Sequence, residues 1–299
     1  VIRRESETVN RELSVRQSEI LMAAVIIARS TSFVISKLSM DSMQPFNILA
    51  VRFILAFLIL IVLFMKQLKR CTWQVFRNGV ILGVTYTGVM GFEMLGIRET
   101  ETSLAALIDN SAFILVPFFE IIFLRVFPKK KVVIGMIVAF LGLLALNFAP
   151  GAQFNIGCIY LLIAMVFYAA AIFETSVFAK QGEPLLVGMI QLGTMGVLSL
   201  AVSLFFEDFR LPNSGAEWGM ILLLAVVCSV FGFTLQPVAQ RSLDADRAGM
   251  FSALNPLAAM VWGFLILGEG MTPAKLIGAA LILIGLLLPS ISLRKSKKT

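Results

Sequence analysis

Six ionisable residues lie inside long apolar runs of this sequence: Arg29, Arg52, Glu93, Asp109, Glu120 and Glu174. If those runs cross a bilayer, such groups are expensive and mark ion or substrate pathways. Arg29 interrupts ILMAAVIIARSTSFVISKL, residues 20 to 38. It stands about ten residues, or roughly 15 Å of helix, from either end, which is mid-depth in a membrane. A guanidinium there offers a planar fork of donors suited to a carboxylate in two-point contact. The four carboxylates raise a second chemistry, proton coupling, which stays open beside facilitated diffusion.

Other chemistries find no residues. The chain has no histidine, so Ser-His and Cys-His nucleophiles and His-ligated zinc are excluded. No GxxxxGK[ST] loop supplies an ATP motor. Cys71, Cys158 and Cys228 have no metal-ligand spacing and read as structural. The chain is expected not to be an enzyme and to carry no metal or cofactor.

The elements that position the six residues follow from composition. Of 299 residues, 59% are hydrophobic and 14% charged, with mean hydropathy +0.92; soluble domains are about 45–50% apolar and about 25% charged. An all-α membrane protein is predicted. Charge clusters and Pro/Gly punctuation cut the chain into ten apolar segments, near 20–40, 45–65, 77–97, 103–124, 132–148, 156–178, 184–206, 217–240, 247–267 and 273–290. Residues 1–19 form a polar tail with no cleavable signal evident, and residues 291–299 form a second, basic tail. Of the 25 Lys and Arg, Arg29 and Arg52 lie within segments. Ten spans would place 19 of the rest on one side, against Lys37, Arg98, Arg210 and Lys275 on the other. The positive-inside bias predicts both termini in the cytoplasm.

The chain also repeats itself. At an offset of 143, Lys37 matches Lys180, Ile134-Gly135 matches Ile277-Gly278, and Gly142-Leu143-Leu144 matches Gly285-Leu286-Leu287. Near the second and seventh segments the offset slips to 139, where Pro45 and Arg52 fall on Pro184 and Gln191. The halves are 20–148 and 156–290. Five spans per half is odd, so the second copy inserts upside down, giving ten transmembrane helices as two inverted five-helix repeats, an architecture of transporters.

Depth and helical spacing sort the polar residues. Arg52, Asp109 and Glu93 lie about 10, 9 and 7.5 Å from one common side, which reads as an ion cluster. Glu120 and Glu174 lie toward the other side, near Arg125 and Lys180. Arg29 is deeper, with no carboxylate evident at its level. It lines a substrate cavity, or is a partnered structural residue, or snorkels. Spacing of three and four residues aligns Asp109, Phe113, Val116 and Glu120; Tyr86, Met90 and Glu93; Ser229, Gln236 and Gln240; and Arg29, Ser32 and Ser36. Candidate substrate-binding residues are therefore Arg29, Ser32, Ser36, Tyr86, Glu93, Asp109, Phe113, Gln236 and Gln240. Arg52, Glu93, Asp109, Glu120 and Glu174 are the candidates for an ion cluster or for coupling. Gly278, Ala279, Ala280 and Gly285 suit close helix packing or a homodimer contact.

SFVISK (32–37), Arg52 in PFNILAVRFILA, SLAALIDNSAFILVPFF (103–119) and AGMFSALNPLAAMVWGFLILGEGMTPAKLIGAALILIGLLL (248–288) resemble the drug/metabolite transporter superfamily, in particular its EamA-type ten-helix members. The most specific part is Pro256, then Gly268-Glu269, then a last segment with Gly278 and Gly285. The resemblance implies two EamA repeats around a central cavity and export or exchange of small metabolites, often amino acids. Two departures stand out. Arg125-Val126 occupies the place of Gly-Glu in the first repeat, and Arg29-Ser30 stands where many members have Trp-Gly.

The expected function is thus a plasma-membrane transporter exporting or exchanging an amino-acid-like zwitterion or organic anion by alternating access, as a uniporter or coupled to protons. The alternative is a lipid-linked flippase component or a membrane scaffold. A flippase calls for a lateral slot lined with small or polar residues, whereas a metabolite carrier seals its polar stripes inside. Partners are a small molecule and membrane lipid, with no nucleic acid.

Overall fold

The structure is a computed structural model that describes residues 13–100, 108–147, 155–255, 257–258, 261–262 and 273–288. Pro256, Gly268-Glu269 and the tail 291–299 lie outside the described residues, as do residues 1–12. Helices account for the described secondary structure: α1 (Val15–Ser39), α2 (Pro45–Leu68), α3 (Trp73–Glu99), α4 (the broken run 108–124), α5 (Lys130–Asn147), α6 (Ile156–Phe178), α7 (Pro184–Phe206), α8 (Gly215–Gln240), α9 (Ala245–Phe251) and α10 (Pro273–Leu287). Among the described residues, six are long and apolar enough to cross a membrane: α1, α2, α3, α6, α7 and α8. The protein is a multi-pass membrane protein.

Local sequence explains most helix starts. α2 and α7 open on Pro45 and Pro184, whose fixed φ and missing N–H suit the first helical turn. Thr72, Asn155 and Ser214 accept backbone N–H groups at the starts of α3, α6 and α8. α1 begins five residues before its apolar run, because Ser14 and Gln17 form a reciprocal capping box that starts the helix there. Glu19 pairs with Arg247, and Ser18 is buried. The segment 15–19 is therefore part of the helical body.

α2 has no cap of its own. The Glu207 carboxylate, at the end of α7, accepts the N–H groups of Phe46 and Asn47 at 2.9 and 2.8 Å, a favourable place for negative charge. Nearby, Arg210 grips Glu217 with two bonds of 2.9 Å and donates to the Ser42 carbonyl at 2.7 Å. The carboxylate beside it holds the Arg210 guanidinium above its ordinary pKa. These contacts tie the turns 40–44 and 207–214 together at one end of the bundle.

Two helices break. In α4, a 3-10 turn at Ser111–Ile114 gives way to Val116–Phe119 and then a π turn at Glu120–Leu124. In α8, a π segment covers Leu224–Phe233 before α-helix resumes at Thr234. Pro117 and Pro237 lack the N–H that would close the preceding turn, leaving the carbonyls of Phe113 and Phe233 without their ordinary donors. α4 ends on Arg125 at φ 55°, ψ 30°, a left-handed position normally taken by glycine. This is the residue that the 143 offset sets against Gly268.

Packing joins the halves. α3 lies against α6 and α7, α2 against α7, and α1 against α8. α5 and α10 approach backbone to backbone: a Cβ on Gly142 would fall 2.7 Å from the Gly278 carbonyl, and one on Gly285 would fall 2.5 Å from the Gly135 carbonyl. The glycines of the last segment thus pack within the chain. The main core gathers Phe53, Tyr86, Leu82 and Phe233, while Phe113, Met136, Leu143, Met250 and Ile282 form a second core between α4, α5, α9 and α10.

Candidate functional site

The start of α4, just before its break, and the end of the π segment of α8 border a small cavity. Arg29 and Ser32 come from α1, Arg52 from α2, Glu93 from α3, Asp109 from α4, and Asn255 from the helical residues just beyond the turn 252–253 that follows α9; Ile26, Val89, Met90, Tyr168 and Phe233 complete the wall. Its volume is about 30 Å³, room for about one water. Two guanidinium groups and two carboxylates therefore surround a space too small for any metabolite.

Arg29 is held by the opposite half of the chain. Its Nη1 donates to the Gln236 amide oxygen, and the Gln236 Nε2 donates onward to the Tyr86 hydroxyl at 2.7 Å. The guanidinium carbon lies 4.1 Å from the Phe233 ring centroid and 5.7 Å from those of Tyr86 and Tyr168. Tyr86 meets Phe233 edge to face at 5.2 Å, which fixes the aromatic box. Gly232 makes room for it, since a Cβ there would stand 2.6 Å from Arg29 Cγ. The cation is thus partnered by π faces and an amide, both effective when desolvated.

Arg52 is fully buried and differently held. Its Nε donates to the Ser229 hydroxyl at 2.8 Å and its Nη1 to the Ser32 hydroxyl at 2.9 Å. Its Nη2, Asp109 Oδ1 and Asn255 Oδ1 are shielded from solvent and have no hydrogen-bond partner among the described residues. Buried polar atoms are nearly always satisfied. One donor and two acceptors left over around a single cavity make a receptor for a small group that itself both accepts and donates.

The EamA-like transporter family model matches the chain twice, over residues 17–148 and 155–291. The chain belongs to that family. An uncharacterized transporter of Archaeoglobus fulgidus is 26% identical over 90% of this chain and 84% of its own length. The uncharacterized transporter YetK of Bacillus subtilis is 24% identical over 89% and 84%, and the uncharacterized inner membrane transporter YedA of Escherichia coli is 23% identical over 90% and 88%. A solved crystal structure superposes with TM-score 0.79 over 95% of this chain and all of the other at 18% identity, a likeness of fold.

Several residues of this EamA protein lie elsewhere than spacing suggests. Arg52 makes no ion pair with Glu93 or Asp109 among the described residues; it shares their cavity but is held by hydroxyls. Arg29 is not isolated from carboxylates, because Glu93 and Asp109 line the same space. The longer α1 accounts for this. Counted from Val15, Arg29 lies past the helix centre, toward the Ser39 end that adjoins Pro45. Phe113 is a core residue of the second apolar cluster.

Ser36 is buried outside the cavity wall, and Gln240 accepts from Ser176 at 3.3 Å. Glu120 accepts the Ala245 N–H at 3.2 Å at the far end of the bundle, and Glu174 is half-buried on α6. Spacing gave no hint of Phe233, Tyr168 or Asn255. Aromatic side chains blend into apolar helices, and only the lone Asn in FSALNPLAAM carried a polar signal.

Proposed function

We propose that this chain moves a small amino-acid-like zwitterion or organic anion across the plasma membrane by alternating access, exporting or exchanging it, with both termini in the cytoplasm. The observation that supports it is the small cavity around which Arg52 Nη2, Asp109 Oδ1 and Asn255 Oδ1 lack hydrogen-bond partners among the described residues, beside Arg29 and Glu93. A carboxylate answers the guanidinium groups, and an ammonium answers the oxygens. At about 30 Å³ the cavity must widen to admit such a molecule.

Ten spans in two inverted repeats suit this reading. The contact of Gly142 with Gly278 and Ile282 and the contact of Gly285 with Gly135 and Ala139 are the same contact under the 143 offset. A two-fold axis between the halves produces that reciprocity, and rocking about it opens a central site to either side in turn. The flippase alternative is disfavoured because the polar groups are enclosed, while the lateral groove between α4 and α5 is lined by apolar side chains.

The test is untargeted metabolomics of medium and cytosol from cells with and without the protein, followed by counterflow of the identified compound in proteoliposomes. The expected substrate carries a carboxylate, with or without an amine. A transported compound without an anionic group overturns the proposal.

A further inference from the structure

Away from the central cavity, the end of α4 and the start of α5 enclose two adjoining spaces. Arg125, in its left-handed conformation, turns the chain out of the π turn, and residues 125–129 run without helix before α5 begins at Lys130. This separation leaves a cavity of about 790 Å³ with Lys129, Lys130, Lys131 and Lys180 on its wall. On the membrane side, a groove of about 510 Å³ runs between the two helices, lined by Pro117, Ile121, Val133, Ile137, Phe140 and Leu141. Pro128 lines both.

The two spaces differ in character. Lys129, Lys130 and Lys131 are exposed and make no ion pair among the described residues. The acids that share the larger cavity are engaged by the chain: Asp244 faces Lys180 at 3.7 Å, Asp246 accepts the Arg247 N–H at 2.6 Å and lies within electrostatic reach of Lys129, and Glu120 accepts the Ala245 N–H, which leaves Lys130 and Lys131 as the cations of the wall without a named acid beside them. From Val133 to Leu141 the groove follows eight residues of helix, about 12 Å, close to the hydrocarbon depth of one leaflet, about 15 Å. A cluster of lysines at the mouth of an apolar channel is complementary to an anion that carries a long hydrocarbon chain.

We propose that this paired cavity is a binding site for one anionic phospholipid of the adjoining leaflet, its phosphate at Lys129–Lys131 and one acyl chain in the α4–α5 groove. Phosphate and lysine attract at the headgroup level, and the chain covers side chains that otherwise border lipid loosely. The site is independent of the central cavity and of what that cavity transports.

The full chain, purified in a neutral detergent, is titrated with phosphatidylglycerol, with phosphatidylcholine of the same acyl chains, and with glycerol 3-phosphate. Bound lipid is counted by native mass spectrometry, and the thermal midpoint is followed in parallel. One phosphatidylglycerol is expected to stay bound, at least tenfold tighter than phosphatidylcholine, with no comparable binding of glycerol 3-phosphate. K129Q/K130Q/K131Q and, separately, Ile137→Trp, which fills the groove, are each expected to weaken it tenfold or more. Equal retention of phosphatidylcholine overturns the proposal, as does equal binding of glycerol 3-phosphate. Wild-type affinity in Ile137→Trp, or in a monodisperse triple variant, overturns it as well.

Discussion

Arg29 in the first repeat rests its guanidinium 4.1 Å from the ring centroid of Phe233 in the second. The pair bridges the two halves at the wall of the central cavity, so in the proposed transport cycle substrate entry and repeat movement would both act on it. Arg29→Lys keeps the charge but loses the planar fork, and transport is expected to weaken. Arg29→Gln is expected to lose nearly all transport with expression retained, since bonds to a charged group contribute about 1.5–3 kcal/mol, roughly tenfold or more in affinity. Flux of the identified substrate in proteoliposomes of equal protein density decides the matter; an unchanged Arg29→Gln rate makes the residue purely structural.

Gly232→Ala tests the same pair without touching the charge. A Cβ there stands 2.6 Å from Arg29 Cγ, so the Arg29 side chain must shift, which is expected to disturb its seat on Phe233. Transport should fall several-fold while the thermal midpoint moves little. In an Arg29→Ala background, adding Gly232→Ala should cost nothing further.

Arg52→Ala removes a buried cation that Ser32 and Ser229 hold while Glu93 and Asp109 stay behind. The two hydroxyls lose a charged donor and the carboxylates keep only Arg29 as a cation in their cavity; leaving buried polar groups unsatisfied costs about 1–3 kcal/mol, so the variant is expected to express poorly or melt early. Adding Asp109→Asn or Glu93→Gln should recover part of the loss. A well-folded Arg52→Ala that gains nothing from either addition would refute the mutual compensation.

Gly142→Ala and Gly285→Ala are expected to destabilise to similar extents, by about 1–3 kcal/mol each, because each new Cβ meets a backbone carbonyl that cannot give way. Gly219→Ala, on α8, meets nothing within 4 Å and should be neutral or slightly stabilising. Thermal midpoints of the three purified variants provide the comparison.

Arg125→Gly removes the penalty of holding a side chain in the left-handed region, about 1–2 kcal/mol, against the smaller cost of a freer unfolded chain. A modest rise in thermal midpoint is expected. A fall would mean that the Arg125 side chain contributes more than its backbone strain costs.

The sequence exposed the helices where chemistry punctuates them. Pro45 and Pro184 mark starts that the structure repeats to the residue, because proline acts locally. α1 was harder to bound, since its first turns are polar and find partners only after folding, as Glu19 does with Arg247. Arg29, Ser32, Glu93 and Asp109 were legible as intramembrane polar groups and do meet around one cavity. Phe233 and Tyr168 were not, because an aromatic ring facing a cation and one facing lipid look alike in a hydropathy pattern. Phe113 shares a helical stripe with Asp109, yet α4 breaks between Ile114 and Val116, so the stripe does not continue along a single face.

The glycine crossing of α5 and α10 also limits how the halves can move. Its contact points, Gly135 and Gly142 on one helix and Gly278 and Gly285 on the other, recur at seven-residue intervals. Sliding one helix along the other by less than that would drive side chains such as Leu143 or Ile282 into a facing carbonyl. The next equivalent register lies about 10.5 Å away, too far for a stepwise shift. Sliding at this contact is therefore costly, and the proposed rocking of the two repeats would act there as a swivel.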